Sequence, residues 1–221
     1  MVWSPGGDTR VQSLQSEDTV TGTGTADTIN ITSDGGTDAP KLISVETVNF
    51  NVAGAAAGTL NVANSTGITA LDLSSTDGDV GATGLSLGVA MAANDIADPA
   101  TNAFFGFKST AVAGSADSAT VTVDGFLGTN LNIGASAAAS TTGTGIETLT
   151  IATTGDTSSI ASLGSSGATT VNVSGDAALT VSAFTATGIT SIDASGATAA
   201  TSLNVTDNLS ANVLSYTGGS G

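Results

Sequence analysis

A three-residue unit recurs along most of this chain, in which one small polar residue separates two large apolar residues. The copies are Ile29-Asn30-Ile31, Val48-Asn49-Phe50, Leu60-Asn61-Val62, Leu71-Asp72-Leu73, Val121-Thr122-Val123, Leu131-Asn132-Ile133, Leu149-Thr150-Ile151, Val171-Asn172-Val173, Leu179-Thr180-Val181 and Leu203-Asn204-Val205. In a β-strand the middle side chain points to the opposite face from its neighbours, so the apolar pair enters a core while Asn, Asp or Thr faces outward. This alternation does not fit a helix, and it predicts a chain of many short strands.

The strands are separated by short stretches of Gly, Ser, Thr, Asp and Ala, which favour turns. A second pattern is shared by four places in the chain. These are Val45-Glu46-Thr47-Val48, Ile68-Thr69-Ala70-Leu71, Ile146-Glu147-Thr148-Leu149 and Ile189-Thr190-Ser191-Ile192. A degenerate internal repeat of this kind is typical of stacked units that bury their faces on each other.

The core between these strands must be thin. Of the 221 residues 40% are hydrophobic, but only 4% are aromatic and 29 are Gly. Such a core suits a β-solenoid better than a β-sandwich, which usually holds larger aromatic residues. We predict an all-β parallel β-solenoid with coils of about two strands each, and a β-sandwich array is the rival fold. The predicted solenoid covers residues 19–217, after an irregular segment at 1–18 and before a Gly-rich tail at 218–221.

One irregular insertion is predicted at residues 81–109, where the repeat is interrupted. Residues 86–95 have few β-branched side chains, which suggests a short helix or an irregular excursion that ends near Pro99. Phe104, Phe105 and Phe107 follow, and they are half of the six Phe in the chain. Two interpretations stay open: the rings close one end of the solenoid against water, or they contact a neighbouring subunit, since aromatic residues concentrate in interface cores.

The charge balance restricts the classes of partner. The chain has 19 acidic residues against Arg10, Lys41 and Lys108, which gives a formal net charge of -16. Nucleic acid is excluded as a partner, because phosphate binding needs clustered Lys and Arg. A folded protein with this charge repels itself, and divalent cations are the natural means of neutralising it. The alternative is that the Asp residues only occupy solvated turns.

Three acidic groups are candidates for calcium, which needs several oxygens converging at one turn. The first group is Asp72 with Asp77 and Asp79, where two carboxylates flank Gly78 on a sharp turn. The second group is Asp34 and Asp38, with Asp27 supplied by the preceding strand; the third group is Asn94, Asp95 and Asp98. Solvated turn carboxylates are the alternative interpretation for each group.

Catalysis is not expected from this composition. The chain has no His, no Cys and only three basic residues, which removes the usual triads, metal-hydrolase ligand sets and Schiff-base chemistry. We therefore predict that the protein is not an enzyme. Membrane insertion is not predicted either, since no apolar run approaches the ~20 residues that a spanning helix needs.

The outward Asn residues of the repeated unit predict ladders along the solenoid axis. If the coils stack in register, their side-chain amides can bond from coil to coil, as stacked Asn does in cross-β assemblies. An alternative is a flat Thr and Asn face that binds a lattice such as ice or polysaccharide, which Thr21, Thr23 and Thr25 suggest.

Two stretches resemble a known calcium-binding repeat. Asp18-Thr19-Val20 followed by Gly22-Thr23-Gly24-Thr25-Ala26-Asp27-Thr28-Ile29 is similar to the RTX nonapeptide, and Tyr216-Thr217-Gly218-Gly219-Ser220-Gly221 is similar to the opening of another copy. In that motif, glycine turns and a recurring Asp form calcium sites between successive coils of a parallel β-roll. The resemblance therefore implies calcium as a ligand.

The middle of the chain resembles a family of coat proteins. Ser44-Val45-Glu46-Thr47-Val48-Asn49-Phe50 and Gly145-Ile146-Glu147-Thr148-Leu149-Thr150-Ile151, among rungs rich in Ala, Thr, Ser and Gly, are similar to the β-solenoid repeats of alphaproteobacterial RTX-type S-layer proteins. This resemblance implies an extracellular, calcium-dependent homo-oligomer on the bacterial cell surface, exported by type I secretion, with cell-surface polysaccharide as a further partner. An adhesin or glycan-binding module of a large secreted RTX-type protein is the alternative function.

Overall fold

The chain forms a parallel β-solenoid of about eight turns. The computed structural model describes residues 14–135, 145–165, 167–186, 188–205 and 215–221. Within these ranges all secondary structure is strand, and every strand pair is parallel. The solenoid prediction is confirmed, and the sandwich alternative is wrong because sandwich sheets are antiparallel.

Four parallel sheets contain all the described strands. The longest has nine strands, β2 (Thr28–Ser33), β5 (Thr47–Val52), β7 (Ala70–Ser75), β9 (Ala90–Ile96), β11 (Ser118–Asp124), β13 (Thr148–Thr153), β16 (Thr170–Gly175), β18 (Ser191–Ala197) and β20 (Ser215–Thr217). A six-stranded sheet holds β3 (Gly36–Asp38), β6 (Gly58–Asn61), β8 (Val80–Leu85), β10 (Asn102–Phe107), β12 (Asn130–Ala135) and β15 (Ser162–Gly164). The two small sheets hold β14 (Ser158–Ile160), β17 (Leu179–Val181) and β19 (Thr201–Leu203), and β1 (Thr19–Thr21) and β4 (Lys41–Ile43).

Each coil has three sides. The chain runs through a strand of the nine-stranded sheet, turns into the six-stranded sheet, and returns along a third side before it enters the next strand of the long sheet. We call this third side the third face; it consists of β1, β4 and the connections 62–69, 86–89 and 108–117. In the later coils a strand of the three-stranded sheet follows the strand of the long sheet. β14 then leads into β15 of the six-stranded sheet, and β17 leads to Phe184, which pairs with Leu163 of β15.

The core is a stack of aliphatic side chains inside the coils. In the long sheet one inward column consists of Val48, Leu71, Met91, Val121, Ile151 and Val173, which are paired from strand to strand. All six are at most 3% exposed. Because the side chains of a strand alternate between its faces, the polar residue between each buried pair is directed outward, as the three-residue unit predicts.

An amide ladder forms at the start of the long sheet. Asn30 and Asn49 are paired across β2 and β5, and Nδ2 of Asn49 donates to Oδ1 of Asn30 at 2.7 Å. The column continues to Asp72 in β7. The ladder prediction is therefore confirmed for this pair, and the next position of the column is a carboxylate.

The segment 81–109 follows the path of the solenoid and contains no helix. Strands β8, β9 and β10 pair with the coils before and after them. The prediction of a short helix at 86–95 is wrong, because β7 and β11 supply strand partners on both sides of β9 and outweigh its low β-propensity. The irregular parts are turns and bulges: Met91 pairs with Val121, 30 residues later, whereas Ile29 pairs with Val48 after 19.

The aromatic residues of this segment belong mainly to the core. Phe105 and Phe107 are 1% and 3% exposed, and their strand β10 lies inside the six-stranded sheet, not at an end of the solenoid. These two rings therefore do not close an end of the solenoid, while contact with a neighbouring subunit stays a prediction. Phe104 alone faces outward and is half-buried, with its ring lying over Gly81.

A membrane-spanning helix is not found: the described residues contain no helix of the length and apolarity that a bilayer requires.

Candidate metal centre

Eight Asp residues follow one edge of the solenoid. Because all strands of the long sheet are parallel, their carboxyl ends meet at the same edge, where the chain turns toward the next sheet. At or just beyond these strand ends lie Asp34, Asp77, Asp79, Asp95, Asp98, Asp124, Asp156 and Asp176. We call this surface the acidic edge. The two described lysines, Lys41 and Lys108, lie on the third face, so no described cation neutralises this edge.

Beside the acidic edge, two oxygen atoms are buried without a hydrogen-bond donor. They are Oδ1 of Asp72 in β7 and Oδ1 of Asn94 in β9. The two side chains are hydrogen-bonded to each other, so these oxygens belong to one local group. Buried polar atoms in proteins nearly always have a partner, and a bound ion or water is the usual explanation where the protein supplies none.

The electrostatics of this group also favour a cation. Burial is the main cause that raises the pKa of the Asp72 carboxyl above 3.8; the hydrogen bond with Asn94 opposes this shift, and the negative charge of Asp95 adds to it. Asp95 is exposed and has a left-handed backbone conformation, with φ of 52°. A divalent cation would offset both the burial of one carboxylate and its repulsion by the other.

The oxygen donors present are those that calcium prefers, namely carboxylate and amide oxygens. Asp72, Asn94 and Asp95 are the residues that would hold the ion. They combine part of the first predicted group with part of the third. Among the described residues, no three acidic side chains gather in the manner of a complete metal site, so these groups supply only part of a coordination sphere.

Asp77 and Asp79 lie on the turn between β7 and β8, as predicted, but in different surroundings. Oδ1 of Asp79 accepts hydrogen bonds from the backbone N–H and from Nδ2 of Asn102, at 2.8 and 3.0 Å. Asp77 is exposed, and its backbone carbonyl accepts a hydrogen bond from Thr101. Asp79 therefore joins two coils, while the carboxylate of Asp77 is directed to solvent.

Asp124 and Asp156 connect two further coils along the acidic edge. Oδ1 of Asp124 accepts a 2.7 Å hydrogen bond from the backbone N–H of Asp156. Gly155 makes this contact possible: it has φ of 63°, and a Cβ there would lie 2.3 Å from the Asp124 carboxylate. The side chain of Asp98 caps its own turn by accepting from the N–H of Ala100.

Asp27 has a structural role that the sequence analysis missed. Its Oδ2 accepts from the N–H of Gly24 at 2.7 Å, and its own N–H donates to Oε2 of Glu46 in the next coil at 2.8 Å. The same arrangement recurs with Gly114, Asp117 and Glu147. The signal was present, because Gly-Thr-Ala-Asp at 24–27 and Gly-Ser-Ala-Asp at 114–117 each precede a Val/Ile-Glu-Thr sequence at the next coil.

The second predicted group, Asp27, Asp34 and Asp38, does not come together. Asp27 and Asp34 lie at opposite ends of β2, and a six-residue strand separates them by roughly 20 Å. Asp34 is exposed, whereas Asp38 is 3% exposed and faces the interior from β3. Burial raises the pKa of Asp38, and a hydrogen bond with Ser33 partly opposes this shift.

The raised pKa values of Asp38 and Asp72 predict that the solenoid gains stability as the pH falls. Such a carboxyl has a higher pKa in the folded state than in the unfolded chain, so it stabilises the fold when it is protonated. This stabilisation is fully present below pH 3.8 and is lost as the pH rises through the folded-state pKa. We therefore expect the urea midpoint, measured with chelator present, to rise between about pH 7 and about pH 4.

Single variants test this assignment. Asp38→Asn and Asp72→Asn should each reduce the rise in midpoint. Asp193→Asn is the control. Hydrogen bonds from Ser195 lower the pKa of Asp193, so the contribution of this carboxyl to the stability of the fold changes only below pH 3.8. Equal pH dependence in all four proteins would contradict the assignment.

Comparison with known proteins adds no relative: no family model, no curated protein and no solved structure matches the chain.

Proposed function

We propose that this protein is a structural subunit of an extracellular, self-assembling layer or filament, in which calcium bridges acidic turns within and between subunits. The observation that carries the proposal is the acidic edge, where aspartates of successive coils follow one another without a described cation. Like charges held on one rigid edge repel each other, and a divalent cation converts this repulsion into a contact.

The Asp72 and Asn94 oxygens support calcium as the ligand. These two oxygens are buried and have no hydrogen-bond donor. The carboxylates of the acidic edge, by contrast, are exposed or already accept hydrogen bonds from backbone N–H groups. An ion at this position would connect β7 to β9 and so stabilise the stack of coils. Exposed carboxylates such as that of Asp77 are free to share an ion with another subunit.

The outermost described strand of the long sheet supports assembly. β20 is the last strand of the nine-stranded sheet, all three of its residues are exposed, and the Tyr216 side chain is 57% exposed. An unprotected strand edge is a template for pairing with another chain. Cell-surface location and type I secretion are part of the proposal through the resemblance to RTX-type S-layer proteins.

The test is the state of association of the purified chain, measured by sedimentation velocity and negative-stain microscopy. With excess chelator we expect monomers, because about sixteen uncompensated charges repel each other. With calcium at about 1 mM, in the range of extracellular calcium-binding modules, we expect ordered sheets or filaments. A monomer under both conditions, with unchanged thermal stability, would contradict the proposal.

The alternative function is an adhesin or glycan-binding module, and the outer face of the long sheet favours it. This face carries short hydroxyl and amide side chains in register, including Thr120, Thr122, Thr150 and Asn172. Such a flat polar surface suits the hydroxyl groups of a polysaccharide. A calcium-independent monomer that binds bacterial cells or purified glycan would support this alternative.

A further inference from the structure

The third face is indented where one coil is shorter than its neighbours. The connection 86–89, between β8 and β9, has four residues, whereas the connections 62–69 and 108–117 in the adjacent coils are longer. The short coil therefore leaves a depression between two longer ones. Two grooves lie there, of about 340 and 370 Å³.

The grooves have apolar walls and polar rims. Val62, Leu85 and Val89 contribute to the apolar lining of the smaller groove, and Ser65 and Lys108 contribute polar groups. The larger groove is lined by Asp117 and by no lysine. Lys108 is half-buried, and its backbone N–H is fixed by the carbonyl of Leu85. Its side chain has no ion-pair partner within the described part of the chain.

Charge is distributed unequally around the coil. The third face carries both described lysines, because Lys41 lies in β4 and Lys108 directly follows β10. The acidic edge is the corner between the other two sides of the coil. In a three-sided coil this corner lies opposite the third face, so the two lysines and the most acidic surface point in opposite directions. The third face also holds Asp117, at the end of the connection 108–117.

We infer that the third face of one subunit receives the acidic edge of a second copy, which builds rows of parallel solenoids. The third face is indented, and carboxylates of the acidic edge supply the partner that Lys108 lacks within the described part of the chain. This inference rests on the proposed self-assembly and identifies the two surfaces that carry it. The occupant of the smaller groove, which Lys108 lines and no acidic residue does, is a second copy of this chain.

The geometry of this contact explains how it propagates. Two different surfaces meet, so the contact is heterologous, and each added subunit presents a new acidic edge on its far side. Since the two surfaces face opposite directions, repetition by translation extends a row and does not close a ring. Calcium neutralises the remaining carboxylates of the edge, because two lysines cannot balance eight aspartates.

The test compares Lys108→Glu with the unchanged protein in the presence of calcium. Replacing an attraction by a repulsion at each contact should raise the critical concentration for assembly about tenfold. A Thr122→Glu/Thr150→Glu protein, with the same change in net charge on the outer face of the long sheet, should assemble as the unchanged chain does. Lys108→Gln, with a smaller expected effect, replaces Lys108→Glu if the latter does not fold.

Mixing distinguishes this contact from a symmetric one. A Lys108→Glu subunit keeps an intact acidic edge, so it can join a row by that edge and then block further growth. We expect substoichiometric amounts of it to shorten the rows formed by the unchanged protein. Normal assembly of both Lys108 variants would overturn the inference and leave the proposed function intact. Failure of the unchanged protein to assemble with calcium would overturn the proposed function itself.

Discussion

Replacing Phe105 by alanine is expected to lower the free energy of unfolding by about 3–5 kcal/mol, the usual cost of removing a fully buried ring. Phe105 is 1% exposed and is among the largest side chains enclosed by the solenoid. Only a few large side chains fill this thin core, so neighbouring aliphatic residues have little freedom to close the cavity. Urea denaturation followed by circular dichroism measures the change.

The adjacent ring is the matched control. Phe104 faces outward on the same strand and lies over Gly81, so Phe104→Ala removes the same atoms without opening the core. We expect a loss of about 1 kcal/mol or less. Similar losses for the two variants would mean that β10 does not face the core in the register described here.

Replacing Gly175 by alanine is expected to cost about 2–3 kcal/mol. Gly175 ends β16 with φ of 116°, a conformation that side chains rarely adopt. A Cβ at this position would lie 2.0 Å from the backbone carbonyl oxygen of Thr153 in the preceding coil. Since that oxygen belongs to a paired strand, the coils must shift to admit a methyl group. Thermal unfolding measures the effect.

Gly188 provides the comparison for this substitution. The nearest atom to a Cβ there, the carbonyl oxygen of Ala168, is 3.7 Å away, and the backbone is not left-handed. Gly188→Ala should be neutral or stabilising by about 0.4–1 kcal/mol, because alanine restricts the unfolded chain. A destabilised Gly188→Ala, or an unaffected Gly175→Ala, would contradict the stacking of these coils.

Strand periodicity was sufficient to predict the fold. In Val121-Thr122-Val123 both valines are fully buried and the threonine is half-buried, which the alternation of a strand requires. The exception is β9, whose sequence AMAANDI has few β-branched residues. Its conformation depends on hydrogen bonding to β7 and β11, which lie 20 to 30 residues away along the chain. Local sequence carries no information about such partners.

The candidate metal centre was harder to predict, because it joins different coils. Asp72 and Asn94 were assigned to separate groups, since only residues close in sequence can be grouped without a known coil length. That length varies, from 19 residues between Ile29 and Val48 to 30 between Met91 and Val121. Conversely, Asp27 and Asp34 are close in sequence, but a strand holds them apart.

The most direct test of the account is a calcium titration by isothermal calorimetry under conditions that keep the chain monomeric. We expect saturable binding at extracellular calcium concentrations, with one fewer site in Asp72→Asn and an unchanged number in Asp193→Asn. Binding should also raise the thermal midpoint, because a ligand that binds only the folded state stabilises it. Absence of binding at about 10 mM calcium, well above the affinities of extracellular modules, or identical titrations for Asp72→Asn and the unchanged chain, would contradict it.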